Sequence, residues 1–161
     1  VASNETLCIW NALGNEPPAT GYATLDQRNA HAILDFDAAA TEGAMFSAVL
    51  PRNYAGGGIT VTLTWMASTA TSGAVFWGTA FERMNTDLDA DSFATQVTGA
   101  STANGTSGII TTVALAHTNG ASIDSIAVGD AFRLQVQRIG GNGGDTMTGD
   151  AELLTVELRE T

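Results

Sequence analysis

Lysine is missing altogether from this chain of 161 residues. All six bases are arginine (Arg28, Arg52, Arg83, Arg133, Arg138 and Arg159), against 17 acids, for a net charge of −11. Phosphate neutralisation needs clustered cations, so the balance argues against nucleic acid as a partner. It argues equally against docking on anionic lipid. Free copies repel one another, so any self-assembly must bury apolar surface, pair arginines with carboxylates, or rely on screening ions.

Cysteine is nearly absent: Cys8 stands alone, which rules out a disulfide within the chain and fits an intracellular folding site. No apolar run approaches the 18 residues of a membrane-crossing helix. The opening Val1-Ala-Ser-Asn-Glu5 has neither the basic nor the apolar region of a secretion signal, so none is expected in this chain. The three prolines, Pro17, Pro18 and Pro51, punctuate the chain rather than pervade it.

Catalytic constellations are missing too. His31 and His117 have no metal-ligand spacing to each other or to Cys8 and read as surface or strand-end residues. There is no Gly-x-Ser-x-Gly elbow. Gly56-Gly-Gly58 lacks the lysine of a phosphate loop and leads into a strand, not a helix. Asp35 and Asp37 fall on one face of a strand, roughly 7 Å apart, but no further acid or aromatic platform nearby completes a glycosidase pair. Asp87, Asp89 and Asp91 alternate as cation-binding loops do, yet Ser92 and Thr98 stand where an EF-hand needs glycine and glutamate. A solvated acidic turn is the default there. The expectation is a protein that is not an enzyme and has no catalytic residue, cofactor or metal site.

What is present is β-structure. In Ile59–Ala67, Ile59, Val61, Leu63 and Trp65 alternate with Thr60, Thr62 and Thr64, so one face is buried and the other wet. At about 3.3 Å per residue this strand spans roughly 30 Å. The glycines before it mark a hard turn. Further strands are expected at His31–Asp37, Ala44–Leu50, Ala74–Met84, Gly108–His117, Ala131–Ile139 and Ala151–Arg159, with a short edge strand at Ser92–Val97. Thr98–Ser107 and Gly140–Asp145 read as loops, and Thr118–Gly129 as irregular with a short helical turn. Ala74–Met84 is apolar on both faces, so it lies between layers or against a partner. About eight strands and one core's worth of chain, able to bury about 70% of the unfolded surface, fit an all-β, single-domain, two-sheet sandwich of jelly-roll type.

Residues 1–29 differ from the rest. Pro17 and Pro18 exclude helix and central strand, so this stretch reads as an extended N-terminal arm with one short strand, preceding a β-sandwich domain at 30–161. Leu7, Ile9, Trp10 and Tyr22 either reach a neighbouring subunit, as a protein interface, or fold back on their own sandwich. Arg52, Arg83 and Arg138 offer bidentate forks for carboxylates across subunits.

Several stretches, in order, resemble a family of small proteins encoded by tailed bacteriophages and prophages. They are Asn15-Glu-Pro-Pro-Ala-Thr, His31 to Asp37, Val49-Leu-Pro-Arg-Asn-Tyr-Ala-Gly-Gly-Gly-Ile-Thr-Val61, Ala80-Phe-Glu-Arg83, Asp145-Thr-Met-Thr-Gly-Asp-Ala-Glu-Leu-Leu154, and Val156-Glu-Leu-Arg-Glu-Thr161. The resemblance implies a virion structural role, foremost a capsid decoration (cement) protein. Such a protein would bind the major capsid protein on the outer capsid surface as a homotrimer, and be made in the host cytoplasm. The alternative is a tail-fibre or receptor-binding domain contacting a cell-surface glycan. A carbohydrate-active enzyme ranks last.

Overall fold

The structure, a computed structural model, describes residues 4–161. The first three residues of the expected arm lie outside the described residues. Among the described residues there are ten strands: β1 (Thr6–Asn11), β2 (Thr24–Arg28), β3 (His31–Phe36), β4 (Thr41–Val49), β5 (Ile59–Ala67), β6 (Ala74–Met84), β7 (Val97–Thr102), β8 (Thr111–His117), β9 (Ala131–Ile139) and β10 (Ala151–Glu160). The larger sheet runs β2-β3-β10-β5-β8, with β1 also paired to β10; the smaller runs β4-β9-β6-β7. Every pairing between named strands is antiparallel.

Alternation on β5 decides the core. Ile59, Val61, Leu63 and Trp65 are fully buried, and they meet Trp77, Phe81, Phe132, Leu134 and Val136 from the smaller sheet. Trp65 and Trp77 pack edge to face with centroids 5.9 Å apart. Gly58, with φ at +98°, turns the chain into β5, and a Cβ there would lie 2.7 Å from the His117 carbonyl. Glu160 pins the turn: its Oε1 accepts from the Ala55 and Gly57 amides at 2.9 and 3.0 Å.

The described part of the segment read as an arm contributes two strands to the larger sheet. β1 extends the flank of β10, and β2 forms a hairpin with β3. Between them, residues 15–23 seal the free edge of β4. Glu16 N donates to the Met45 carbonyl, the Asn15 side chain accepts from Met45 N, and Ala23 N donates to the Gly43 carbonyl. An open edge is thereby capped.

Two expectations need correcting. The edge strand expected at Ser92–Val97 forms instead at Val97–Thr102, inside the stretch read as a loop. It pairs with Ala74–Thr79. Its small residues hide the alternation, and Gly99 leaves the space that the Leu115 side chain approaches. Arg138 pairs within its own chain, not across subunits. It is fully buried and donates all five N–H groups: two to the Asp145 carboxylate, and one each to the Phe36, Met147 and Gly149 carbonyls. Arg83 likewise pairs internally, with Asp130 at 2.8 Å.

Candidate functional site

A groove of about 460 Å³ crosses the outer face of the larger sheet. Its floor is aliphatic. Ile33 on β3 and Met66 on β5 point outward yet are 1% and 6% exposed, because neighbouring walls cover them. Leu154 joins them from β10, at the register slip between Leu153 and Thr155 that inserts an extra residue. Four strands at about 4.8 Å spacing make the crossing about 14 Å long.

The walls are polar. On one side stands the β2–β3 hairpin, where Arg28 faces His31 across Asn29 and Ala30. Both turn residues have positive φ, 48° and 62°, the two-residue hairpin geometry that asparagine tolerates well. On the other side lie Ser107, Gly108 and Ile110, which is 56% exposed. Arg28 ties the two walls together. Its Nη1 donates to Glu152 at 2.6 Å and to the Ala67 carbonyl at 3.2 Å, and its Nη2 donates to Ser107 Oγ at 2.9 Å. Gly108 has φ +78°, and a Cβ there would meet the guanidinium at 2.6 Å. An aliphatic floor with a few fixed polar groups on its rim is the ordinary make-up of a small-molecule site.

Beside the groove the face turns acidic. Asp35 follows Ile33 on the same face of β3, directly opposite Glu152. Burial, then the charges of Glu152, Asp150 and Asp26, push the Asp35 carboxyl up to about 6. Its Oδ1 is buried with no hydrogen-bond partner among the described residues.

The residues singled out from sequence do not converge here. On β1, Trp10 turns inward, packs on Phe46 and Phe132, and donates its indole N–H to the Ser47 carbonyl at 3.2 Å. Leu7 also packs against the core. Ile9 and Tyr22 are 66% and 52% exposed. Tyr22 borders a separate cleft of about 280 Å³ with Leu13, Pro17 and Leu25. Asp87 and Asp91 turn onto their own loop, accepting from the Asp89 and Asn85 amides. Asp37 lies beyond the end of β3 and caps Ala39 N, so it does not share a strand face with Asp35.

His117 ends β8, but it is buried, which corrects the surface reading. Its Nδ1 lies 3.1 Å from the Ser122 carbonyl and its Nε2 2.8 Å from the Thr79 hydroxyl. A carbonyl only accepts, so Nδ1 carries the proton and Nε2 accepts from Thr79. Burial lowers the imidazole's pKa.

No family model matches the chain, and no curated protein matches its sequence. Solved structures do match in shape. The CBM22-1 xylan-binding domain from Paenibacillus barcinonensis Xyn10C aligns with TM-score 0.56 and 11% identity, over 99% of this chain and 96% of that one. The CBM36-1 domain of a multidomain xylanase from the hindgut metagenome of Trinervitermes trinervoides aligns with TM-score 0.52 and 10% identity, over 94% of each chain. The family 11 carbohydrate-binding module from Clostridium thermocellum, in complex with a β-1,3-1,4-mixed-linked tetrasaccharide, aligns with TM-score 0.50 and 8% identity, over 98% of this chain and 96% of that one. At these identities the likeness is one of fold: a jelly-roll β-sandwich matched along nearly the whole chain.

Proposed function

We propose that this chain is a non-catalytic binding domain that holds a short stretch of an uncharged glycan in the groove across its larger sheet. The observation that carries the reading is the pairing of an aliphatic floor, Ile33, Met66 and Leu154, with polar walls from Arg28, Asn29, His31 and Ser107. Sugar rings present C–H faces to such a floor and hydroxyls to such walls. The acidic face beside the groove disfavours uronic acids, since like charges repel at short range. Three solved structures of the same shape are named as carbohydrate-binding modules or domains, which supports the class of ligand. Among the described residues no Trp, Tyr or Phe lines the groove, so affinity is modest: a dissociation constant of about 0.1–1 mM, or roughly 4 to 5.5 kcal/mol.

Affinity electrophoresis against soluble xylan, mixed-linkage β-glucan and polygalacturonate tests this. Retardation by a neutral glycan, lost in Ile110→Asp and kept in Tyr22→Ala, is the expected result. Equal retardation of both variants would place binding elsewhere.

A second reading keeps the chain as a virion surface protein: a decoration protein on the major capsid protein, or a receptor-binding part that presents this groove to a cell-surface glycan. Four large apolar side chains of the N-terminal segment favour it, since Ile9, Leu13, Tyr22 and Leu25 are all more than half exposed. Copy number in purified virions separates its two forms: hundreds for decoration, a handful for a tail part.

A further inference from the structure

The hairpin that forms one wall of the groove is fastened through a crowded set of carboxylates. On β3, Asp35 faces Glu152 of β10 across one flank and Thr24 of β2 across the other. Asp26, two residues further along β2, sits opposite Ile33 and so lies diagonal to Asp35 on the same face of the sheet. Asp150 adds a fourth carboxylate just before β10. The cation from the packed elements is Arg28, and its Nη1 is committed to Glu152 at 2.6 Å. His31 and Asp37 flank Asp35 along its own chain. One arginine facing four carboxylates leaves Asp35 uncompensated, and no side-chain or backbone donor among the described residues reaches its Oδ1. Carboxyls crowded on one face raise one another's pKa, and Asp35 holds its proton up to about pH 6.

We propose that Asp35 is a positioning residue: its protonated carboxyl bonds to Asp26 and holds the β2–β3 hairpin against the sheet, and its ionisation loosens that wall of the groove. This rests on the groove being the glycan site. Ionised Asp35 faces Asp26, Glu152 and Asp150, and the strand free to yield is β2, which pairs only with β3. Arg28, Asn29 and His31 move with it, because the hairpin carries them all. Glycan binding is therefore tighter below pH 6 than above it.

The test is made on the intact chain, by NMR from pH 4.5 to 7.5, following the Asp35 carboxyl carbon and the protection of the Thr24, Asp26 and Arg28 amides after correction for intrinsic exchange. The carboxyl is expected to titrate near 6, and protection to fall by up to about a hundredfold as pH rises to that point, the effect of about two units of displaced pKa. Asp35→Asn, which mimics the neutral form, should keep the low-pH protection throughout. Asp26→Asn should lower the Asp35 midpoint. Binding of mixed-linkage β-glucan oligosaccharide should weaken above pH 6 in the native protein and stay level in Asp35→Asn. Flat protection in the native protein, or the same pH dependence in Asp35→Asn, would overturn the proposal. A pH-dependent hairpin with no glycan bound at any pH would remove the groove reading and leave the hairpin device standing. Binding that ignores pH while protection falls would leave the groove reading standing and overturn the coupling of the hairpin to the groove.

Discussion

Arg138 and Asp145 form a buried bidentate ion pair, Nη2 to Oδ1 at 2.7 Å and Nε to Oδ2 at 2.9 Å, with side chains 0% and 2% exposed. The arginine reaches on to the Phe36, Met147 and Gly149 carbonyls, so one guanidinium fastens β3, β9 and the 140–149 loop together. Asp145 Oδ2 also accepts from Phe76 N at 3.0 Å.

Removing one partner of such a pair leaves a buried charge uncompensated, which costs about 3–5 kcal/mol. Asp145→Ala is expected to lose that much in urea denaturation and to expose the 140–149 loop to protease. A loss under about 1 kcal/mol would mean the loop is held by other contacts.

Trp10 and Ile9 are neighbours on β1 with opposite fates. Trp10→Ala removes a ring packed on Phe46 and Phe132 and should cost about 3 kcal/mol. Ile9 faces solvent, so Ile9→Ala should stay within about 0.5 kcal/mol. Equal effects in thermal melts would contradict the inward placement of Trp10.

The contrast between Trp10 and Ile9 also marks what the sequence could reveal. β5 and β9 are legible because each has one buried and one wet face, and strict alternation records that. β2 is not: four of its five residues are exposed, so nothing in Thr24–Arg28 distinguishes one face from the other. β7 is masked by small side chains. Arg138 sits on the inward side of β9 by parity with Phe132, Leu134 and Val136, but a charge at the end of a strand reads as surface until the loop carbonyls that meet it are known. The groove draws on residues 28–33, 66, 107–110 and 154, which only the sheet order brings together. The one local signal was Asn29, a residue suited to the left-handed turn of a two-residue hairpin.

Asp35 and His117 should bend the stability–pH curve in opposite senses. Asp35 has a raised native pKa of about 6, so its contribution is full below its ordinary value near 3.8 and is lost as pH rises through 6. His117 has a lowered native pKa, so its contribution is full above 6.5 and is lost as pH falls below that. Denaturation midpoints of Asp35→Asn and His117→Gln across pH 4–8 separate the two. The first variant should lose the decline between pH 4 and 6, and the second the decline on acidification below 6.5.

The turn at Gly140 tolerates no side chain. A Cβ there would lie 2.2 Å from the Ala40 carbonyl oxygen, a backbone atom that cannot step aside cheaply. Gly140→Ala should therefore destabilise by about 1–3 kcal/mol. Gly141→Ala meets no neighbour but sits at φ +80°, so its smaller cost comes from the backbone alone, about 1 kcal/mol. Denaturant midpoints rank the two.

Amide shift mapping during titration with a neutral β-glucan or xylan oligosaccharide locates any contact directly. Shifts confined to Arg28–Ile33, Met66, Ser107–Ile110 and Leu154, saturating near millimolar ligand, are expected. Shifts on the outer face of the smaller sheet, or none at several millimolar, would contradict the groove as the binding site.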